Sequence, residues 1–450
     1  MAQVAQQEVS NEITYRKFGP VRLSPGVMRY HMLVYYLSTV TAMLIFTFNP
    51  QVQPFLLNEI LGIPESQQGV LSGNLAFVGE IVILFSIGGW GTLSDKVGRK
   101  FVYAAGFLLM GVALFLTPTV TSVPLLYLYR CLFSFGAASV STMLATIVAD
   151  YAINEDRGKA SGLQGIGNGL GAMMTVFIAL QLPRIFMDND ASGLEAAQRT
   201  YGLVAIVAIL SAIVMAIGLQ GRTKRQKEQK KSIWQISKEG FAAAKDPGVA
   251  LAYMAAFVSR GDLAIVGTFF TLWVVTYGTA EAGLSAADAL ARAGIVIGIS
   301  QLTALMFAPL FGIMADKINR VNAVIIAVLI SAIGYGSTIL VDDPTSGAMI
   351  FICAIIIGMG EISGVIASGV LIAQQAPSDI RGSIIGIFSL CGAFGIMIAT
   401  GVGGQLFDSW KPQGPFVLFS IFSLVVVLFG VIVRHRIVPM NEEIGGVGGH

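Results

Sequence analysis

Five ionisable side chains lie within long apolar stretches of this sequence: Glu80, Arg130, Arg260, Asp262 and Glu361. A charge at the centre of a bilayer costs about 3 kcal/mol on insertion scales, so such residues face a cavity or a partner. An apolar environment also favours the neutral form of a carboxyl group, which brings proton exchange towards physiological pH. Glu80, Asp262 and Glu361 are therefore candidate proton carriers, and a structural ion pair is the alternative for each.

The arginines and nearby aromatic residues are candidates for substrate binding. Arg130 either tunes a carboxylate or binds an anionic group. Arg260 and Asp262 are two residues apart, about 200° around a helix, so they cannot neutralise each other on one face. Phe270 and Trp273 share a helix face and are expected to line a cavity beside Asp262, with lipid contact as the alternative. We assign substrate binding to Arg130, Arg260, Phe270 and Trp273.

Membrane-spanning helices are needed to position these residues. The chain has 450 residues, 55% of them hydrophobic and 12% charged, whereas soluble domains carry about 25% charged residues. A spanning helix needs about 20 apolar residues, and six such segments occur in each half of the chain. They begin near Met32, Val70, Phe101, Pro124, Ala160, Tyr201, Val249, Ala293, Val321, Ala348, Ser383 and Pro415. The sequence predicts an all-α membrane protein with two six-helix bundles.

The distribution of basic residues predicts the orientation of the chain. With the N-terminus inside, 22 of the 28 Lys and Arg residues fall in inside segments and four in outside loops. Because positive charge is enriched on the cytoplasmic side, both termini are expected in the cytoplasm, and a bacterial inner membrane is the expected location. The predicted division is a cytoplasmic segment 1–30, a bundle 31–219, a basic linker 220–247, a bundle 248–434 and a flexible tail 435–450.

Several function classes are not expected from the composition. A net charge of +2 gives no support for a nucleic-acid partner. The three cysteines and three histidines are scattered, so neither a metal site nor a cofactor site is predicted. The sequence shows no nucleophile or pair of catalytic carboxylates at one interface, so we do not expect an enzyme.

A short polar signature occurs twice in the chain. The first copy spans Gly91 to Lys100 and the second spans Gly312 to Arg320, with Gly, Asp, Lys and Arg repeated at an offset of 221 residues. The pair Arg157-Gly158 also returns as Arg381-Gly382. The chain is therefore a tandem duplication, which is typical of transporters built from two halves around a central site.

The repeated signature resembles motif A of the major facilitator superfamily, Gly-x-Leu-Ala/Ser-Asp-Arg/Lys-x-Gly-Arg-Arg/Lys. The second copy departs from the motif at Asn319, where glycine is usual. The resemblance implies twelve spans, rocking of two bundles, and a cytoplasmic loop that latches the inner gate in the outward-facing state. The residues assigned to this gating motif are Gly91, Asp95, Lys96, Gly98, Arg99, Asp150, Gly312, Asp316 and Arg320. A purely topogenic loop is the alternative.

The fourth span is similar to motif B of proton-coupled drug antiporters, because Arg130, Gly136, Ala137 and Ala138 match it. Phe133 and Ser134 replace its usual Gln and Gly. The resemblance implies a secondary active transporter that moves a small organic solute in exchange for protons and works as a monomer. Proton-coupled uptake is the alternative, and a channel or a non-transporting sensor is a further one.

Overall fold

The computed structural model describes residues 15–221, 233–377 and 380–437. These residues form twelve helices long and apolar enough to cross a membrane, as predicted. They are α1 Arg29–Glu59, α2 Glu65–Val97, α3 Arg99–Leu116, α4 Val123–Tyr151, α5 Arg157–Phe177, α6 Gly193–Gly218, α7 Pro247–Ala280, α8 Ala286–Lys317, α9 Arg320–Ser337, α10 Ala348–Gln375, α11 Arg381–Ser409 and α12 Gly414–Val433.

Polar caps explain why several helices begin before their apolar segments. At the start of α6, the Glu195 amide donates to Ser192 Oγ at 3.3 Å and the Ser192 amide donates to Glu195 Oε2 at 3.0 Å. The Asp246 carboxylate likewise accepts the amides of Gly248 and Val249, both at 2.9 Å, at the start of α7. Such caps satisfy amides that lack a partner in the first turn.

The two halves of the chain pack in the same way. In the first half, α3 packs against α4 and α6, and in the second half α9 packs against α10 and α12. These helices correspond under the duplication. The halves meet where α2 packs on α11 and α5 packs on α8, so helices from both halves surround the centre.

We name the two faces of the bundle by their loops. The signature face carries the connections α2–α3 and α8–α9, which hold the two signatures, and the opposite face carries the connections α1–α2 and α7–α8. A two-stranded hairpin, β1 Lys17–Phe18 and β2 Val21–Arg22, lies on the signature face of the first half. Its Arg22 contacts buried Asp156 through Nε at 2.7 Å, and this hydrogen bond raises the pKa of Arg22.

A further helix, Ile233–Ala242, connects the halves. The Tyr253 hydroxyl of α7 donates to the Gly240 carbonyl at 2.9 Å, and the Ser383 hydroxyl of α11 donates to Glu239 at 3.0 Å. This linker helix is therefore docked on the second half. The predicted basic cluster, Arg222, Lys224, Arg225, Lys227, Lys230 and Lys231, lies outside the described residues, as does most of the predicted tail.

Candidate functional site

A cavity of about 410 Å³ lies between the two halves. Four charged side chains line it, two from each half: Glu80 on α2, Arg130 on α4, Arg260 on α7 and Glu361 on α10. Its other polar lining residues are Thr47, Gln51, Ser134, Ser141, Thr268, Gln301 and Thr400. The cavity thus gathers four of the five ionisable residues that the sequence singled out.

A second cavity, of about 660 Å³, continues the first towards the signature face. The two cavities share Glu80, Ser141, Arg260 and Ile396. The second is also lined by Gly88 on α2 and by Ser237 of the linker helix. The central cavity is therefore continuous with space that leads to the signature face.

Contacts between the halves close the opposite face. The amides of Gly69 and Val70 at the start of α2 donate to the Asp408 carboxylate of α11, at 2.9 and 2.7 Å. One turn deeper, a Cβ atom at Gly73 would lie 3.0 Å from Gly404 Cα and would overlap the Thr400 carbonyl oxygen. Only glycine permits this approach of the two backbones.

Two side-chain contacts add to this closure. The Thr279 hydroxyl at the end of α7 donates to Glu65 Oε1 at 2.8 Å, and Arg184 Nε lies 3.0 Å from Asp288 Oδ1. Together with the α2–α11 contact, they join the two halves on this face, from α2 to the end of α7 and from the segment after α5 to the start of α8. The structure is therefore closed at the opposite face and open at the signature face.

Arg260 and Asp262 occupy different environments, as their spacing on α7 predicts. Arg260 is exposed in the cavity although it lies halfway along a span, and its charge interacts with that of Glu80 across the boundary between the halves. Asp262 is fully buried inside the second half and is not among the cavity-lining residues. The two residues therefore belong to two separate polar sites.

Asp262 forms the first of these sites together with Glu361. Asp262 is 0% exposed and Glu361 5%, and their charges lie close enough to interact. Neither carboxylate oxygen of Asp262 nor Glu361 Oε2 makes a hydrogen bond of normal geometry among the described residues. Their polar neighbours are the Ser331 hydroxyl beside Asp262 and the Gln301 amide beside Glu361. Since Glu361 also lines the cavity, it lies between the cavity and Asp262.

Arg130 has a different arrangement on α4. Its Nε and Nη1 atoms are buried and donate no hydrogen bond to any group in the described part of the chain. The neighbouring α2 makes room for the guanidinium at Gly79, where a Cβ atom would lie 2.8 Å from Ser134 Oγ and 3.4 Å from Arg130 Nε. The guanidinium therefore borders the cavity with unused donors.

Contrary to the expectation from the sequence, Phe270 and Trp273 do not line the central cavity. Their side chains are 0% and 1% exposed and pack on Phe416 of α12, with ring centroids 5.7 and 5.6 Å apart. A π-helical segment, Val266–Phe270, precedes Trp273. Because a π-helical turn holds more residues than an α-helical turn, the faces before and after it do not follow one helical period, and the two aromatic side chains point into the second half.

The first signature forms a charge network around Arg99. Arg99 Nη1 lies 2.8 Å from Asp95 Oδ1, and Arg99 Nε lies 3.2 Å from Asp150 Oδ2 at the end of α4. Gly98 between α2 and α3 has φ +103°, a conformation that favours glycine. The structure thus brings together Asp95, Arg99 and Asp150, three of the residues that the resemblance assigned to the gating motif.

The second signature is simpler, and its departure from the motif has a structural reason. Asn319, at the position of Gly98, has φ −58° and needs no glycine, and its side chain accepts the Val321 amide at 2.8 Å to cap α9. Asp316 and Arg320 form a single contact of 3.4 Å. The remaining residues assigned to the gating motif lie near the ends of α2 and α8. They are Gly91 and Lys96 in the first signature and Gly312 in the second.

Sequence reasoning missed two features of the site. Asp408 was not selected, although an acidic residue near the end of an apolar segment is a signal that could have identified it. The contact between Gly73 and Gly404 was also missed, because a chain with 52 glycines gives no reason to choose those two.

Comparison with known proteins identifies the family. The sequence profile of the Major Facilitator Superfamily matches residues 34–393 and, in a second match, residues 254–449. The chain belongs to the Major Facilitator Superfamily. The resemblance carried by the two signatures is therefore confirmed, and the chain is a multi-pass membrane transporter rather than an enzyme.

Superfamily members similar to this chain include magnetosome proteins. The chain is 24% identical to the magnetosome protein MamH of Paramagnetospirillum magneticum over 427 residues, which cover 93% of this chain and 95% of MamH. It is 26% identical to MamZ of Magnetospirillum gryphiswaldense and covers 61% of that protein's length, so it spans less than two thirds of MamZ.

Solved structures of the superfamily have the same fold. The crystal structure of the nucleoside transporter NupG (D323A mutant) matches 89% of this chain and 99% of that chain, with a TM-score of 0.72 and 16% identity. At this identity the likeness concerns the fold.

Proposed function

We propose that this chain is a proton-coupled secondary transporter that moves a small organic solute across a bacterial inner membrane by alternating access. The observation that carries this proposal is the charged cavity between the halves, which is closed at one face and continuous with a second cavity at the other. A site at the interface of two related halves is where transporters of this construction hold their substrates.

The orientation follows from the charge distribution. The signature face holds the basic loops, including Lys96, Arg99 and Lys100, so it is the cytoplasmic face by the enrichment of positive charge there. The structure is then the inward-open conformation of a monomer. Asp95 and Arg99 serve as parts of a latch that closes this face in the alternative conformation.

Glu361 and Asp262 are the proposed proton carriers. Buried carboxylates without an opposite charge among the described residues are favoured in their neutral form. Glu361 is placed to receive a proton from the cavity and to influence Asp262. Glu80 has the opposite charge of Arg260 nearby, which favours its alternative role as an ion-pair partner.

Export by proton antiport is the first mode we propose, on the resemblance of Arg130 and its neighbours to motif B. Uptake by proton symport is the second candidate. It is favoured by the two arginines in one cavity with Glu361, because such a site can hold a proton and an anionic solute together.

Reconstitution into proteoliposomes tests the function. An imposed pH gradient is expected to drive accumulation of the transported solute, and dissipating the gradient with a protonophore should abolish that accumulation. A solute that crosses only downhill, at the rate expected of a channel, would contradict the proposal. Comparing inside-acid and outside-acid gradients distinguishes antiport from symport.

A further inference from the structure

Arg130 carries a positive charge at membrane depth that no carboxylate of the described residues neutralises. No carboxylate pairs with it among the described residues, and its Nε and Nη1 donors are buried without a hydrogen bond. A buried, unpaired charge is strongly unfavourable, so a group retained in this condition points to a missing partner. Water in the cavity can accept the free N–H donors, but only an anion satisfies the donors and balances the charge as well.

The other arginine of the cavity serves as an internal comparison. Arg260 is exposed to the cavity and has Glu80 as an opposite charge. Beside Arg130 lie uncharged polar side chains, Ser134 on α4 and Tyr201 on α6, and Asn49 and Gln53 of α1 line a small pocket with it. Because Gly79 has no side chain, α2 leaves the space next to Ser134 and the guanidinium open.

We infer that the transported solute is a small organic anion whose carboxylate, phosphate or sulfonate group binds the guanidinium of Arg130. This inference rests on the proposed function for the cavity being the solute site. The planar guanidinium offers parallel N–H donors that match two oxygens of such a group. The remaining lining, which includes Phe46 and Phe133, suits an apolar body attached to the anionic group.

The size of the cavity favours an organic anion over a bare inorganic ion. Its volume of about 410 Å³ exceeds that of ten water molecules at about 30 Å³ each. An inorganic oxyanion would leave most of this space and its apolar walls unused.

Binding to the purified full-length chain tests the assignment separately from transport. The probes are potassium benzoate, succinate and phenyl phosphate, each compared with potassium chloride at equal ionic strength, and with benzamide, succinamide and phenol as their uncharged counterparts. A ligand of the folded protein raises its thermal-unfolding midpoint. We expect at least one anion to raise the midpoint and its uncharged counterpart to have no such effect.

Substitutions then locate the site. Arg130→Gln should weaken the anion's affinity at least about tenfold, because hydrogen bonds to charged groups are the stronger class, and Arg130→Lys should weaken it less. Gly79→Ala keeps the charge but places a methyl group against Ser134 Oγ and in contact with Arg130 Nε, which occupies space beside the guanidinium. It should also weaken affinity, and it covers the case in which Arg130→Gln does not fold. Arg199 is exposed and does not line the cavity. The Arg199→Gln variant should therefore bind the anion with the same affinity as the unaltered chain.

Three results would overturn the inference. They are the absence of a midpoint shift with every anion, equal shifts with the uncharged counterparts, and an affinity unchanged by Arg130→Gln and Gly79→Ala. A chain that still accumulates a neutral or cationic solute under a pH gradient would retain the proposed function while failing this inference.

Discussion

Glu80 of α2 and Arg260 of α7 face each other across the boundary between the two halves. Because Arg260 is exposed in the cavity, water screens this pair, and its coupling should be about 1 kcal/mol or less. We expect the thermal-unfolding midpoint to fall less in the double variant Glu80→Gln/Arg260→Gln than the sum of the two single effects. Glu80→Gln combined with Lys245→Gln should be additive; additivity in both combinations would contradict the pairing.

The two buried carboxylates should be required for coupling. Asp262→Asn and Glu361→Gln keep the shapes of the side chains but remove the proton-binding groups, so each variant should lose most of the accumulation that a pH gradient drives. Exchange of labelled solute without a gradient should persist. Asp188→Asn, an exposed carboxylate of the opposite face, is the control. Full pH-driven accumulation in both variants would exclude these residues as carriers.

The close approach of Gly73 to Gly404 should be required for the inward-open conformation. Valine at position 73 would collide with the backbone of α11, so Gly73→Val should separate the halves at the opposite face. Spin labels at Asp188 and Glu281 would report a longer distance by double electron–electron resonance. Gly88→Val is the matched control on the same helix, since no atom lies within 4 Å of its Cβ position. Equal distances in both variants would refute the packing argument.

The two signatures should respond differently to one substitution. Arg99 bonds two carboxylates, Asp95 and Asp150, whereas Arg320 makes one long contact with exposed Asp316. Lysine retains the charge but lacks the fork of donors. We expect Arg99→Lys to reduce the transport rate at least about tenfold, equivalent to 1.4 kcal/mol, and Arg320→Lys to reduce it much less. A larger effect in the second copy would contradict the assignment of the latch to the first.

The hairpin should stabilise the first half through Asp156. This carboxylate is 1% exposed and binds the Arg22 amide at 2.9 Å, Arg22 Nε at 2.7 Å and Lys159 Nζ at 2.8 Å. Asp156→Asn should lower the thermal midpoint, because Arg22 and Lys159 lose the charged group that accepts their hydrogen bonds. The neighbouring exposed Glu155→Gln should leave the midpoint unchanged; a matching fall there would mean that a general charge effect is responsible.

The fold was largely predictable from the sequence, because each span is a long apolar segment and the duplication repeats a signature at a fixed offset. The helix starts at Gly193 and Ala286 were missed by seven or eight residues. There, the polar first turns are stabilised by Ser192 and Ser285 caps and not by apolar length.

The site was predictable in part. The free-energy cost of placing a charge at bilayer depth identified the four charged residues that line the cavity, because such a charge is retained where it faces a cavity or a partner. The positions of Phe270 and Trp273 relative to Asp262 could not be derived, because the π-helical segment of α7 breaks the period from which a helix face is calculated. The approach of α2 to α11 depends on tertiary packing of particular glycines, which composition does not reveal.

The two arginines and two glutamates of the cavity have an electrical consequence. With all four ionised and the buried Asp262 protonated, the formal charges at membrane depth sum to zero, so an empty carrier can change conformation without moving charge through the membrane potential. A monovalent anion bound alone would make the moving core negative, and carrying it across would involve about 2.3 kcal/mol per 100 mV. In the symport mode, a proton bound with that anion restores neutrality, so the loaded transporter would cycle at a rate that does not depend on voltage.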